Sequence, residues 1–219
     1  MEVGEGKRGP GLRTLGTIGT LAAGLFITLF RFGRLGPLDF WWWISADILT
    51  MIGLSLAAER GYARRLEADA RSRPAKKIAL GVLSAAVLYA VFAGGKAVVF
   101  KVLPFAPAAI ADVYRLRQGA SLLRILLLLG LVIGPGEELF WRGFLQDRTG
   151  LLLGPDAGLW LTALLYALVH VASGNIIFVL AAAVCGLYWG LTYRIFRSPL
   201  LNAVSHTVWD VAVFVLFPL

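Results

Sequence analysis

A pair of adjacent carboxylates stands in an otherwise apolar stretch of the sequence. Glu137 and Glu138 follow a Gly-Pro-Gly run and precede Arg142. Ionisable groups are costly at bilayer depth, so residues of this kind are candidates for function. On a helix Glu138 and Arg142 are one turn apart and can pair, whereas Glu137 points about 100° away from Glu138. The spacing predicts that Arg142 holds Glu138 and that Glu137 stays available for chemistry.

Both histidines of the chain lie in apolar segments. His206 is followed by Asp210 one helical turn later, and His170 is preceded by Tyr166 one turn earlier. A single histidine on an apolar helix is usually a core residue, but two histidines in a protein that also buries a carboxylate pair indicate a polar site. Glutamate, histidine and aspartate in this combination could activate a water molecule or bind a metal ion.

The three motifs together resemble those of the CPBP family of intramembrane glutamic proteases, the CAAX-prenyl-protease and bacteriocin-processing-like (Abi-type) proteins. The family pattern is Glu-Glu-x-x-x-Arg, then an aromatic residue followed four positions later by His, then His-x-x-x-Asn/Asp, each in a separate span. In this sequence these motifs are residues 137–142, 166–170 and 206–210. Two positions depart from the commoner residues, since Tyr166 stands in place of Phe and Asp210 where many members have Asn.

The resemblance implies an intramembrane endopeptidase that hydrolyses a peptide bond of a membrane-associated protein or peptide. It makes Glu137 the general base on a water molecule that His170 also holds. It makes His206, together with Asp210, the group that stabilises the tetrahedral oxyanion. These four residues are therefore the expected catalytic set.

The resemblance gives the remaining motif residues supporting roles. Glu138 and Arg142 are expected to hold the geometry of the site without acting on the substrate. Asp210 admits two roles: an ionised Asp210 would orient His206, whereas a protonated one would donate a hydrogen bond to the oxyanion. Because the family accepts Asn at this position, we predict the donor role.

Two other classes of protein fit part of the pattern. Glu137, His170 and His206 could hold a zinc ion with an open fourth position, as in a metalloprotease. The His-Glu-x-x-His motif is absent, so we expect no cofactor. A transporter or a non-catalytic immunity-type protein would also bury Glu, His and Asp. No inverted repeat is evident and no motif residue is missing, which favours the protease.

These residues must be positioned by a membrane protein. Of the 219 residues, 58% are hydrophobic and 16% are charged, whereas soluble chains contain about 25% charged residues. The single cysteine, Cys185, excludes a secreted disulfide scaffold. Apolar runs of spanning length predict an all-α fold, a polytopic transmembrane helical bundle of about seven spans. The predicted spans are residues 15–32, 40–58, 78–102, 122–146, 158–172, 175–196 and 199–219.

The fourth predicted span contains Gly134-Pro135-Gly136 just before the carboxylate pair. Proline removes a helical N–H and disturbs the preceding turn. We therefore expect the helix to be interrupted there, and the break to widen a cavity for water and an extended substrate.

The formal charge of +8 reflects the membrane topology of the chain and does not indicate a polyanionic partner. Basic residues lie between apolar runs instead of along one helix face, so no nucleic-acid binding is expected. Lys and Arg are concentrated before the first span and in the loop 59–77, which favours a cytoplasmic N-terminus. The expected organisation is an N-terminal cytoplasmic segment 1–14, spans 15–121 with the basic cytoplasmic loop 59–77, and a catalytic core 122–219.

The short loops and compact size favour a bacterial cytoplasmic membrane. The expected partners are the lipid bilayer and a membrane-embedded protein or peptide substrate, for which a C-terminal processing or sorting signal is one candidate.

Overall fold

The computed structural model describes residues 9–219 of the chain. Lys7 and Arg8, two basic residues of the predicted segment 1–14, lie outside this range. The helices are α1 (Leu12–Phe32), α2 (Phe40–Ala58), α3 (Tyr62–Arg71), α4 (Pro74–Val102), α5 (Ala106–Tyr114), α6 (Leu122–Leu153), α7 (Pro155–His170), α8 (Ile176–Phe196) and α9 (Pro199–Val211). Short 3₁₀ turns follow α5 (Arg115–Arg117) and α7 (Val171–Ser173), and a π-helical turn (Ala212–Leu216) extends α9.

Six of these helices are long and apolar enough to cross a membrane, namely α1, α2, α4, α7 with its 3₁₀ turn, α8, and α9 with its π turn. Helices α5 and α6 meet at a bend of 90° and pass the same test together, which gives up to seven spans. The predicted all-α bundle of about seven spans is therefore confirmed. Leu83, Val87 and Val98 on α4 are among the large apolar side chains left exposed, as expected of a face towards lipid.

The ends of the helices follow local chemistry. The Asp39 carboxylate accepts hydrogen bonds from the backbone N–H groups of Trp41 and Trp42 and so caps α2. Ser198 caps α9 in the same way, ahead of Pro199 at the first helical position. Between α1 and α2 a small hairpin pairs β1 (Arg34–Leu35) with β2 (Leu38–Asp39) in antiparallel register.

The predicted break at Gly134-Pro135-Gly136 is wrong. Helix α6 is continuous from Leu122 to Leu153, and it contains π-helical turns at Leu129–Ile133 and Leu139–Gln146 on either side of this sequence. Proline is tolerated because the preceding π turn has already shifted the backbone hydrogen-bond ladder. The fourth span also runs past its predicted end at residue 146.

The two glycines of this run serve helix packing. A Cβ atom on Gly134 would lie 2.7 Å from the Thr207 hydroxyl of α9, and one on Gly136 would overlap the side chain of Ile48 in α2. Small residues allow helices to approach closely within a membrane. The two glycines therefore allow α6 to pack closely between α2 and α9, and they do not interrupt the helix.

A buried ionic cluster lies near the C-terminal end of α6 and joins four parts of the chain. Glu59, just after α2, accepts hydrogen bonds from Arg148 of α6 and Arg65 of α3. Asp147 of α6 pairs with Arg65 at 3.0 Å and with Arg197, after α8, at 2.7 Å. Burial opposes ionisation of Glu59, but the hydrogen bonds from the two guanidinium groups outweigh it and hold the pKa of Glu59 below its ordinary value.

Candidate active site

Three helices bring the motif residues together at one cavity. Helix α6 contributes the carboxylate pair with Arg142, α7 contributes Tyr166 and His170, and α9 contributes His206 and Asp210. The cavity has a volume of about 320 Å³, and its polar lining includes Glu137, Tyr166, His170, His206 and Asp210. Glu138 and Arg142 are also buried but do not line it.

Glu138 is the centre of the buried hydrogen-bond network behind the cavity. Its Oε1 atom accepts from Arg142 at 2.7 Å and from His206 Nδ1 at 2.8 Å. Its Oε2 atom accepts from the Asn202 amide at 3.0 Å. Glu138 has no exposed surface, so these partners compensate the cost of burying its charge. The network ties α9 to α6 and sets the position of His206.

Arg142 contacts a backbone carbonyl and two aromatic rings as well as Glu138. It donates to the carbonyl oxygen of Gly186 at 3.2 Å. Its guanidinium lies 4.9 Å from the centre of the Tyr166 ring and 5.6 Å from that of Trp189. Such cation–π contacts gain strength when they are desolvated. Arg142 thereby joins α7 and α8 to the carboxylate pair.

Tyr166 connects the two groups that were predicted to hold water. Its hydroxyl donates to Glu137 Oε2 at 2.8 Å, and its backbone carbonyl lies 2.7 Å from His170 Nδ1. A carbonyl oxygen only accepts hydrogen bonds, so Nδ1 of His170 carries the proton. In the neutral ring Nε2 is then an acceptor. One carboxylate and one imidazole of defined tautomer therefore border the same cavity.

His206 is oriented by partners on both ring nitrogens. Its Nδ1 atom donates to Glu138, and Nε2 lies 3.4 Å from Asp210 Oδ2. The ring also stacks on Trp189, with centroids 3.7 Å apart and planes inclined by 20°. Because Nδ1 donates its proton in the hydrogen bond to Glu138, Nε2 carries a proton only when the ring is an imidazolium.

The aromatic rings around His170 were not anticipated from the sequence. Phe30 of α1 lies 4.4 Å from the imidazole between ring centroids, and Phe178 of α8 lies 5.0 Å from it in an edge contact. Both are distant from the motifs along the chain, so no local pattern could have indicated them. The rings of Phe30 and Phe178 keep one side of the cavity apolar.

Asn202, by contrast, stands four residues before His206 and belongs to the same polar stripe of α9.

The geometry bears directly on the possibility of a metal ion. Within residues 9–219, no three His, Cys, Asp or Glu side chains are grouped closely enough to hold a metal ion. The zinc set Glu137, His170 and His206 is therefore not gathered as three ligands around one point.

Residues 119–212 match the family model of the Rce1-like type II CAAX prenyl endopeptidases. The match includes all three motifs and confirms the resemblance to the CPBP family. Neither the curated proteins nor the solved structures gave a match to the chain.

Proposed function

We propose that this chain, an integral membrane protein whose residues 119–212 carry an Rce1-like type II CAAX prenyl endopeptidase domain, cleaves peptide bonds with a water molecule activated by Glu137 and His170. The family match supports an intramembrane endopeptidase in general. The chemistry is supported by one observation: Glu137 and His170 border the same cavity and are linked through Tyr166.

In the first step the water molecule loses a proton as it attacks the peptide carbonyl carbon. Glu137 Oε2 is already bound by the Tyr166 hydroxyl, and within the described residues no donor binds Oε1. A carboxylate in an apolar cavity with one oxygen available is suited to take the proton as general base. His170 Nε2 accepts the second hydrogen of the water and so orients its lone pair towards the substrate.

In the second step the tetrahedral oxyanion collapses and the carbon–nitrogen bond breaks. The imidazolium form of His206 donates from Nε2 to the oxyanion, since its Nδ1 is engaged by Glu138. Asp210, 3.4 Å from Nε2, provides the second donor when it is protonated. Glu137 then returns its proton to the leaving amine. Removal of one donor of this kind typically lowers the rate about 10²–10³-fold.

The substrate proposed is a membrane-associated protein or peptide, cleaved near or within the bilayer. The apolar walls of the cavity support this class, because they favour side chains or lipid groups over a soluble peptide. The family description makes prenylated C-terminal sequences the first candidates to test, with bacterial processing or sorting signals as the second. We propose a bacterial cytoplasmic membrane with the N-terminus inside as the location.

The test is proteolysis of a labelled substrate library by the purified chain in proteoliposomes. We expect Glu137→Gln to fold normally and to lose at least about 10²-fold in rate, as expected when a general base is lost. Glu138→Gln should lower activity mainly through stability, since Glu138 binds Arg142, His206 and Asn202. A Glu137→Gln protein that kept more than about a tenth of the wild-type rate would contradict the proposal.

A transporter or an immunity-type binding protein is the alternative outcome of the same experiment. In that case the wild-type chain would cleave nothing, and Glu137→Gln would change transport or binding instead of product formation.

A further inference from the structure

One side chain of the cavity wall has no part in the proposed reaction. Lys96 of α4 is the only lysine or arginine among the described residues that line the cavity. It is partly buried, and its ammonium group lies 5.3 Å from the centre of the Phe100 ring. The neighbouring wall residues on α4, Val91, Phe92 and Val99, are apolar. A positive charge is therefore present in an apolar wall of the proposed active site.

The packing of α4 against α9 brings Lys96 to the cavity that the catalytic groups line. The two helices run parallel, since Gly81 packs on Leu201, and the Phe92 ring lies 4.9 Å from that of Trp209 further along both helices. Lys96 lies one turn beyond Phe92 on α4, and it lines the cavity together with Val213 in the π turn that follows α9. Val213 is three residues beyond Asp210, a rise of about 4.5 Å along a helix. Lys96 therefore lines the same cavity as His206 and Asp210.

Within residues 9–219 no carboxylate lies at ion-pair distance from the ammonium group of Lys96. By contrast, Arg124, another basic residue within a predicted span, pairs with Asp39. Unpaired charges at bilayer depth are costly and usually mark a pathway or a ligand. A lysine in a membrane-spanning helix usually extends its ammonium group to the membrane surface. The structure instead places it on the wall of the cavity.

We propose that Lys96 is a specificity-determining residue that binds a carboxylate of the substrate within a few residues of the bond that is cut. This inference rests on the proposed peptidase function. A carboxylate is the anionic group that a peptide carries, either at its C-terminus or on an Asp or Glu side chain. Bound against apolar walls, it pairs with the ammonium group more strongly than it would in water. The enzyme is then selective for peptides that present this charge beside the scissile bond.

The experiment compares two peptides that differ only at the C-terminus. Each carries an N-terminal lipid anchor and a fluorogenic group, and one ends in a free carboxylate whereas the other ends in a carboxamide. The full chain is assayed in phosphatidylcholine vesicles. We expect wild type to prefer the acid by about tenfold or more in kcat/KM, since a site built to bind a polar group discriminates strongly against an analogue that lacks it.

The variants assign this preference to Lys96. Lys96→Met should bring the ratio of acid to amide close to one, and Lys96→Arg should keep a preference for the acid. Lys101→Met is the matched control, because Lys101 is exposed on the same helix and does not line the cavity. It should keep the wild-type ratio. A Lys96→Met enzyme with the wild-type ratio, or a wild-type enzyme without any preference, overturns the inference.

Two further arms complete the design. An amidated peptide with an Asp side chain near its end separates the two sources of the carboxylate. If this peptide is cleaved as fast as the peptide with a free C-terminus, a carboxylate from either source is recognised. If it is cleaved as slowly as the plain amidated peptide, the C-terminal carboxylate is the group that is recognised. Failure of the peptidase function is recognised separately, because wild type would then cut neither peptide. In that case, the affinity of each peptide is measured for the Glu137→Gln variant and for the Glu137→Gln/Lys96→Met double variant, which reports recognition without turnover. Equal affinity in all four combinations overturns the inference about Lys96.

Discussion

At the scale of single residues, the two carboxylates of the pair differ because of their partners. Glu138 has all its contacts in the protein, from Arg142, His206 and Asn202. Glu137 has the Tyr166 hydroxyl on one oxygen and the cavity beside it. Glu138 is therefore fully engaged by the protein, whereas Glu137 borders the cavity.

Asp210 is the residue whose role a conservative substitution can decide. We expect Asp210→Asn to keep most activity and Asp210→Ala to lose about 10²-fold or more, because Asn can donate a hydrogen bond to the oxyanion and Ala cannot. The measurement is the rate of both variants in proteoliposomes from pH 5 to 9. If Asp210→Asn were as inactive as Asp210→Ala, the negative charge on Asp210 would be what His206 requires.

The dependence on metal belongs to the same scale. We expect full activity after exhaustive chelation with EDTA or phenanthroline, because Glu137, His170 and His206 act on water directly in the proposed mechanism. The measurement is the rate before and after chelation, with thermal unfolding as the control for an intact fold. Activity that is lost and then restored by stoichiometric zinc would replace this mechanism with that of a zinc protease.

At the scale of elements, α6 depends on close approach to its neighbours. Gly136→Ala places a methyl group on Ile48 of α2, and overpacking of this kind typically costs about 1–3 kcal/mol. We expect a lower unfolding temperature in detergent, together with reduced activity, because the shift moves Glu137. Gly130→Ala on the same helix is the control, since its added Cβ meets nothing within 4 Å. Equal stability of the two variants would mean that α2 and α6 do not pack as described.

At the scale of the whole molecule, the ionic cluster around Glu59 predicts how stability depends on pH. The folded-state pKa of Glu59 lies below its ordinary value because hydrogen bonds from Arg148 and Arg65 outweigh the effect of burial. Such a group stabilises the fold above its unfolded-state pKa, about 4.3. This contribution is lost as the pH falls through the lower folded-state value.

We therefore expect Glu59→Gln to lower the unfolding temperature in detergent at pH 7 and to differ less from wild type near pH 3. Glu67→Gln is the matched control, because the Glu67–Arg71 pair is solvent-exposed and contributes little. A Glu59→Gln protein as stable as wild type at pH 7 would show that the cluster does not support the fold.

Features that depend on local spacing could be predicted from the amino-acid order alone. A helix has a fixed rise and rotation per residue, so apolar runs predicted the spans, and the four-residue interval between Glu138 and Arg142 predicted their ion pair, which is present at 2.7 Å. Three motifs on three spans also indicated the protease family before any packing was known. None of these inferences needs the distance between two helices.

Contacts between different helices could be identified only from the folded structure. The bond from His206 to Glu138 joins residues 68 positions apart, and the bond from Tyr166 to Glu137 joins residues 29 positions apart. Helix α6 continues through Gly134 and Pro135, and α9 packs closely against the glycine. Lys96 lines the cavity because α4 packs along α9 in one particular register. The distance between two helices and their relative orientation depend on how their side chains pack together. The sequence periodicity of a single helix does not contain this information.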